Sequence, residues 1–289
     1  MAHFTVKEYL SALPPDHSEY SRYSQAKSFV RPQLAITCLN YIILDCYNGS
    51  VIENFRTWSR QQKFEYPFRQ HAVEYWVDYA DDNWENTRIL ELAQQLLDPA
   101  ATGCFLSWAR DFIFQCAAER RVVVGDEGDN FDTVTSHFCA GGLKPLHMAA
   151  ALGLPEICRW LIASDCNVNE RSNVGTPLHC TLLGIHQLWR SQVNSDWAER
   201  LEPFRDSGEA SRMLVLEILL SNGADCNALY RDRFGKDFPS SHLAFFSDIG
   251  RGAEHPLVKI VAAGARLEDR LLEYLVGLIL SSISQFHSS

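Results

Sequence analysis

A Pro-Leu-His tripeptide that occurs twice constrains this chain more than any other feature. Lys144-Pro145-Leu146-His147-Met148-Ala149-Ala150 returns as Thr176-Pro177-Leu178-His179-Cys180-Thr181-Leu182, with the prolines 32 residues apart. A repeat of this length marks short units that cannot bury their apolar faces alone, so neighbouring units must stack. Proline suits the first turn of a helix, because its φ is already set and its missing N–H would go unbonded there. Ala149 and Ala150 are small enough for helices of adjoining units to approach closely. Gly153 to Ile162 then reads as the second helix of a pair, and Asp165-Cys166-Asn167-Val168-Asn169 as the turn into the next unit. The same ending returns at Leu216 to Asn227, where the glycine after the helix supplies a left-handed stop. A weaker third copy covers His242-Leu243-Ala244 and 258–265.

These residues resemble the ankyrin-repeat family, whose period is about 33 residues. The first unit is a close match. The second is split by an insertion at about 185–212 that carries Trp189, Trp197, Pro203 and Phe204. The third lacks Thr-Pro-Leu-His and carries a small insertion around 248–255. The resemblance implies an all-α fold: a helical N-terminal region over 1–125, ankyrin repeats over 140–268, and a capping helix over 269–289. It also implies that His147, His179 and His242, which recur at one position of the repeat, hydrogen-bond turn backbone between units.

The N-terminal part reads as helical. Pro32 stands near a helix start before the apolar run Leu34 to Leu44. Ala72, Val73, Trp76 and Tyr79 share one face of a helix over 68–79. Ile89, Leu92, Ala93, Leu96 and Leu97 form the stripe of another over 84–97, ended by Pro99 and Gly103, and a further helix spans 104–121. Trp76, Trp108 and Trp160 sit among apolar neighbours and read as core. Gly125 to Asn130 is a solvated acidic loop. The stretches at 3–10, 35–41, 66–68 and 71–76 are similar to the helical segment that follows the nucleotide-binding module in fungal NACHT–ankyrin proteins. No Gly-x-x-x-x-Gly-Lys-Ser/Thr occurs, so NTP hydrolysis is not implied.

Composition narrows the function. The net charge of −10, from 26 basic and 36 acidic residues, disfavours direct nucleic-acid contact and anionic membranes. The apolar run Leu271 to Ile283 is interrupted by Glu273 and too short to span a bilayer. The first ten residues lack the apolar core of a signal peptide. Nine cysteines, an odd number with no Cys-x-x-Cys, point to reduced thiols and a cytoplasmic or nuclear setting. No metal, cofactor or catalytic set is expected. Cys180 beside His179, and Cys139 near His147, would need side-chain contact to serve as nucleophile and base.

The expected function is therefore a non-enzymatic protein-interaction module, a regulatory subunit or transcription coregulator of a fungus, with a secondary-metabolite pathway as its expected setting. Two alternatives stay open: a secondary-metabolism enzyme on an ankyrin-like scaffold, and a truncated relic of a NACHT–ankyrin protein. The candidate partner-binding residues are the hairpin-tip residues Tyr230, Arg231, Arg233 and Phe234, Arg171 of the preceding tip, and Trp189 and Trp197 of the insertion. Tips are exposed in the family, and Tyr, Trp and Arg dominate interface energetics.

Overall fold

In the computed structural model the chain divides into two compact bodies, Met1–Gln115 and Cys116–Ser289. The structure describes residues 27–44, 66–119, 142–193, 209–247, 255–267, 269 and 272. The expected acidic loop at 125–130, Cys139, Trp197 and all of the expected capping helix except Asp269 and Leu272 lie outside them. The described residues form ten helices and two short strands, an all-α fold.

The N-terminal body is built from α1 (Lys27–Ile42), α2 (Arg69–Ala80), α3 (Thr87–Leu96) and α4 (Thr102–Glu119), with α1 packed against α2 and α3. Helix α1 begins before Pro32, so the proline lies inside it rather than at its start. Asn86 caps α3, its side-chain oxygen accepting from Arg88 N and Ile89 N at 3.0 and 3.4 Å. The stripes expected from the 3.6-residue period are in the core, apart from half-buried Tyr79. Trp76 and Trp108 are fully buried and meet edge to face at 5.6 Å. Beside them Arg69 donates to Asp111 at 2.8 Å and to Ser107 at 2.9 Å, and Arg110 reaches the other Asp111 oxygen at 3.3 Å. Burial pushes the Asp111 carboxyl up, and the two guanidiniums oppose that shift.

The C-terminal body stacks three helix pairs: α5 (Pro145–Leu152) with α6 (Pro155–Ala163), α7 (Pro177–Val193) with α8 (Glu209–Ser221), and α9 (Ser240–Phe246) with α10 (Pro256–Ala262). The first helices α5, α7 and α9 pack in series, as do the second helices α6, α8 and α10. Strands β1 (Leu229–Arg231) and β2 (Asp237–Pro239) form an antiparallel hairpin between the second and third pairs.

The passages between pairs share one construction. Each second helix is followed by a left-handed residue: Asp165 (φ 62°), Gly223 (φ 82°) and Gly264 (φ 99°). The next N–H then returns five residues, from Cys166 to Leu161, Ala224 to Leu219 and Ala265 to Ile260. Asp165 therefore corresponds to Gly223, and Asn169 to Asn227. The two Asp-Cys-Asn triplets visible in the sequence are two residues out of register with each other. The aligned asparagines staple the repeats: Asn169 donates to Gly223 O and accepts from Asp225 N, at 2.9 and 2.7 Å. Asn227 does the same to Gly264 O and Arg266 N, at 3.2 and 2.9 Å.

Helix α7 is two helical pieces joined at Gly184 (φ 63°, ψ 170°), a backbone region open essentially to glycine alone. The insertion thus begins as a helical continuation through Val193. Arg212 of α8 secures the break. Its guanidinium donates to Thr181 O at 3.1 Å and Leu182 O at 3.2 Å, at the carbonyl end of the first piece. A Cβ on Gly184 would lie 2.7 Å from the guanidinium, and one on Gly153 2.8 Å from Cγ of the same side chain. Two glycines from adjacent repeats make the slot for this buried arginine.

Candidate functional site

The repeated histidines lie within the stack. His147 Nδ1 accepts from Lys144 N at 3.3 Å, which leaves the ring proton on Nε2 to donate to Glu170 O and Gly175 O at 3.0 and 3.2 Å. His179 Nδ1 accepts from Thr176 N at 3.0 Å, and its Nε2 donates to Ala228 O at 3.1 Å. Burial holds both imidazoles down at about 4. His242 occupies the same helical position, but its N-cap is Pro239, which has no N–H to give. His242 packs on the Phe238 ring, centroids 5.8 Å apart.

Ser240 Oγ lies 3.1 Å from His179 Nε2, the spacing of a nucleophile and its base. The roles are inverted, however. Nε2 carries the proton because Nδ1 is occupied as an acceptor, and Ser240 Oγ itself donates to Ala228 O at 3.0 Å. This Ser–His contact is a structural bond between repeats. Cys180 does not pair with His179. Its thiol donates to Val174 O at 3.5 Å, and burial pushes its pKa far up. Among the described residues, no group of three or more His, Cys, Asp or Glu is placed to hold a metal ion. No helix there is long and apolar enough to cross a membrane.

The tips between helix pairs carry further polar and aromatic groups. The first is the tight turn Ser172–Gly175, closed by hydrogen bonds in both directions, with exposed Arg171 leading into it. The second is the β1–β2 hairpin. Arg231 and Asp237 face each other across it, and the guanidinium meets the carboxylate through two bonds of 2.8 Å. That bond holds the Asp237 carboxyl below its usual range, and Arg171 adds to the effect. Buried Asp232 caps the turn by accepting from Phe234 N and Lys236 N, both at 2.9 Å. Phe234 stands at the tip, 46% exposed, with Arg233 half-buried beside it.

Tyr230 corrects the expectation for it. Its position in β1 turns it inward, where it is fully buried. Its ring lies 5.7 Å from His179 and its hydroxyl 2.5 Å from Ser191 Oγ on the continuation of α7. Period-two alternation puts Leu229 and Arg231 outward and Tyr230 inward, a signal the tripeptide pattern does not carry. Trp189 lies within α7, apart from the tips in sequence, and its side chain is outside the described set. Lys236 and Leu229, both exposed, join the tip. Arg231 and Asp237, placed symmetrically about the turn, were the available clue to a paired hairpin.

Stacked helix pairs joined by tight turns and a hairpin, with a histidine at each inner-helix start and an asparagine staple between units, define an ankyrin-repeat region. Residues 141–173 match the ankyrin-repeat family model. The chain is also similar to azaphilone pigments biosynthesis cluster protein L of Monascus ruber, 25% identical over 111 residues. That alignment covers 38% of this chain and 22% of the Monascus protein's length. No solved structure matches.

Proposed function

We propose that this chain is a non-enzymatic protein-binding module whose contact surface is formed by its hairpin tips, acting as a regulatory subunit or transcription coregulator in the cytoplasm or nucleus of a fungus. One observation carries the proposal. His147, His179 and the staple asparagines are committed to joining repeats, whereas Phe234 is held exposed on a turn made rigid by Asp232 and the Arg231–Asp237 pair. Large exposed side chains on a preorganised turn bind with little ordering entropy left to lose. A role in secondary metabolism is supported by the similarity to a protein described as part of a pigment biosynthesis cluster. The resemblance of the N-terminal body to the segment after a NACHT module suits a regulatory ancestry.

Quantitative proximity labelling tests the proposal, using the full chain and its Arg171→Glu/Phe234→Ala variant in the native fungus. A defined set of neighbours lost in the variant is the expected result. An unchanged neighbour set would refute the tips as the contact surface. If deletion of the gene abolishes one chemical step while leaving pathway transcripts intact, the enzymatic alternative replaces this one.

A further inference from the structure

The two tips differ in charge from the rest of the molecule. The chain carries −10 overall, yet the exposed residues at the tips include Arg171, Arg231 and Lys236, with half-buried Arg233 adjoining them. Two of the acids there are engaged, and a third, Glu170 beside Arg171, is half-buried. Asp232 is buried and turned to backbone N–H groups, and Asp237 is chelated by Arg231. The two tips adjoin, since a Cβ on Gly175 of the first would lie 2.8 Å from the Tyr230 ring of the second, so one partner can meet the cations of both. The outward face of the hairpin also carries Leu229, 47% exposed, besides Phe234 at the turn. Cations around two exposed apolar side chains complement a segment with carboxylates flanking an apolar residue.

We propose that the tips bind an acidic peptide segment bearing one or two large apolar residues, whose carboxylates face Arg171 and Lys236 while its apolar side chain packs on Phe234. This rests on the tips being the contact surface and adds the chemistry of what docks there. A basic partner is drawn by the overall charge of the chain, but at the tips it would meet guanidinium and ammonium groups. Binding should therefore weaken as salt is added, because the ionic part is screened over about 8–10 Å near physiological ionic strength.

The test is selection of a random dodecapeptide phage library on the full chain, with counter-selection on Phe234→Ala and on Lys236→Glu. Both sites are exposed, so folding should be retained, which circular dichroism checks. The expected result is enrichment of net-acidic peptides with a hydrophobic residue. Synthetic copies should bind at least five-fold more weakly to either variant, and more weakly at 0.5 M salt than at 0.1 M. Enrichment of neutral or basic peptides that still depend on Phe234 would overturn the acidic chemistry and keep the tips. Peptides indifferent to both substitutions, or no enrichment at all, would overturn both.

Discussion

Lowering the pH from 7.5 to 5 should destabilise the repeat stack through two residues, His147 and His179. In the folded chain each Nδ1 accepts a backbone N–H, so protonating it sets two donors against each other in a buried site. Burial holds both groups at about 4, against about 6.5 in an unfolded chain. Below pH 6.5 the unfolded chain takes up protons that the folded chain refuses, so stability is full above that pH and falls as pH drops toward 4. At about 1.4 kcal/mol per pH unit, each histidine accounts for about 2 kcal/mol at pH 5, and the pair for about 4 kcal/mol. Below pH 4 the two contribute no further loss. Urea melts at pH 7.5, 6 and 5 measure the slope, and the His147→Gln/His179→Gln variant isolates it from the carboxylates. That variant should be less stable at pH 7.5 but lose about 4 kcal/mol less on acidification. An equal pH slope in variant and parent would refute the assignment, as would imidazoles that titrate near 6.5 by NMR in the folded chain.

Three other substitutions test the packing. Arg212→Met removes two charge-assisted bonds to the carbonyls beside the Gly184 break and should lower stability by about 2–4 kcal/mol in urea unfolding; a loss under about 0.5 kcal/mol would mean that the slot holds without its guanidinium. Asp165→Gly places glycine at the left-handed position that glycine already holds in the later repeats, and should gain about 0.5 kcal/mol; a loss of that size would refute the structural alignment of Asp165 with Gly223. Asp111→Asn leaves Arg69 and Arg110 buried without their carboxylate and should cost about 3–5 kcal/mol, followed by the fluorescence of Trp76 and Trp108; an unshifted midpoint would show that the carboxylate is not what stabilises the pair.

The sequence by itself determined the parts that rest on local periodicity and backbone chemistry. Pro145 and Pro177 opened helices because a helix start tolerates a missing N–H. The apolar stripes of α2 and α3 entered the core because a 3.6-residue period puts them on one face. Of the apolar run Leu34 to Leu44, the residues through Ile42 lie in α1, and Pro32 is interior to it. The repeat itself was legible as a spacing, and the structural role of His147 and His179 followed from the family it resembles. The tertiary structure decided everything that depends on distant partners. The match of Asp165 with Gly223 required backbone dihedrals, because the Asp-Cys-Asn triplets suggest a different alignment. Tyr230 reads as an exposed tip residue from the repeat register alone. Its direction was set by strand pairing with Asp237–Pro239 and by Ser191, 39 residues earlier in the chain. Arg212 gave no local sign of its role, because its carbonyl partners and its two facing glycines come together only when adjacent repeats stack. At the candidate site, residue type alone picked out Phe234 and the arginines. Which of them are exposed was decided by the ion pair and the turn cap, contacts between side chains and backbone that a linear pattern does not encode.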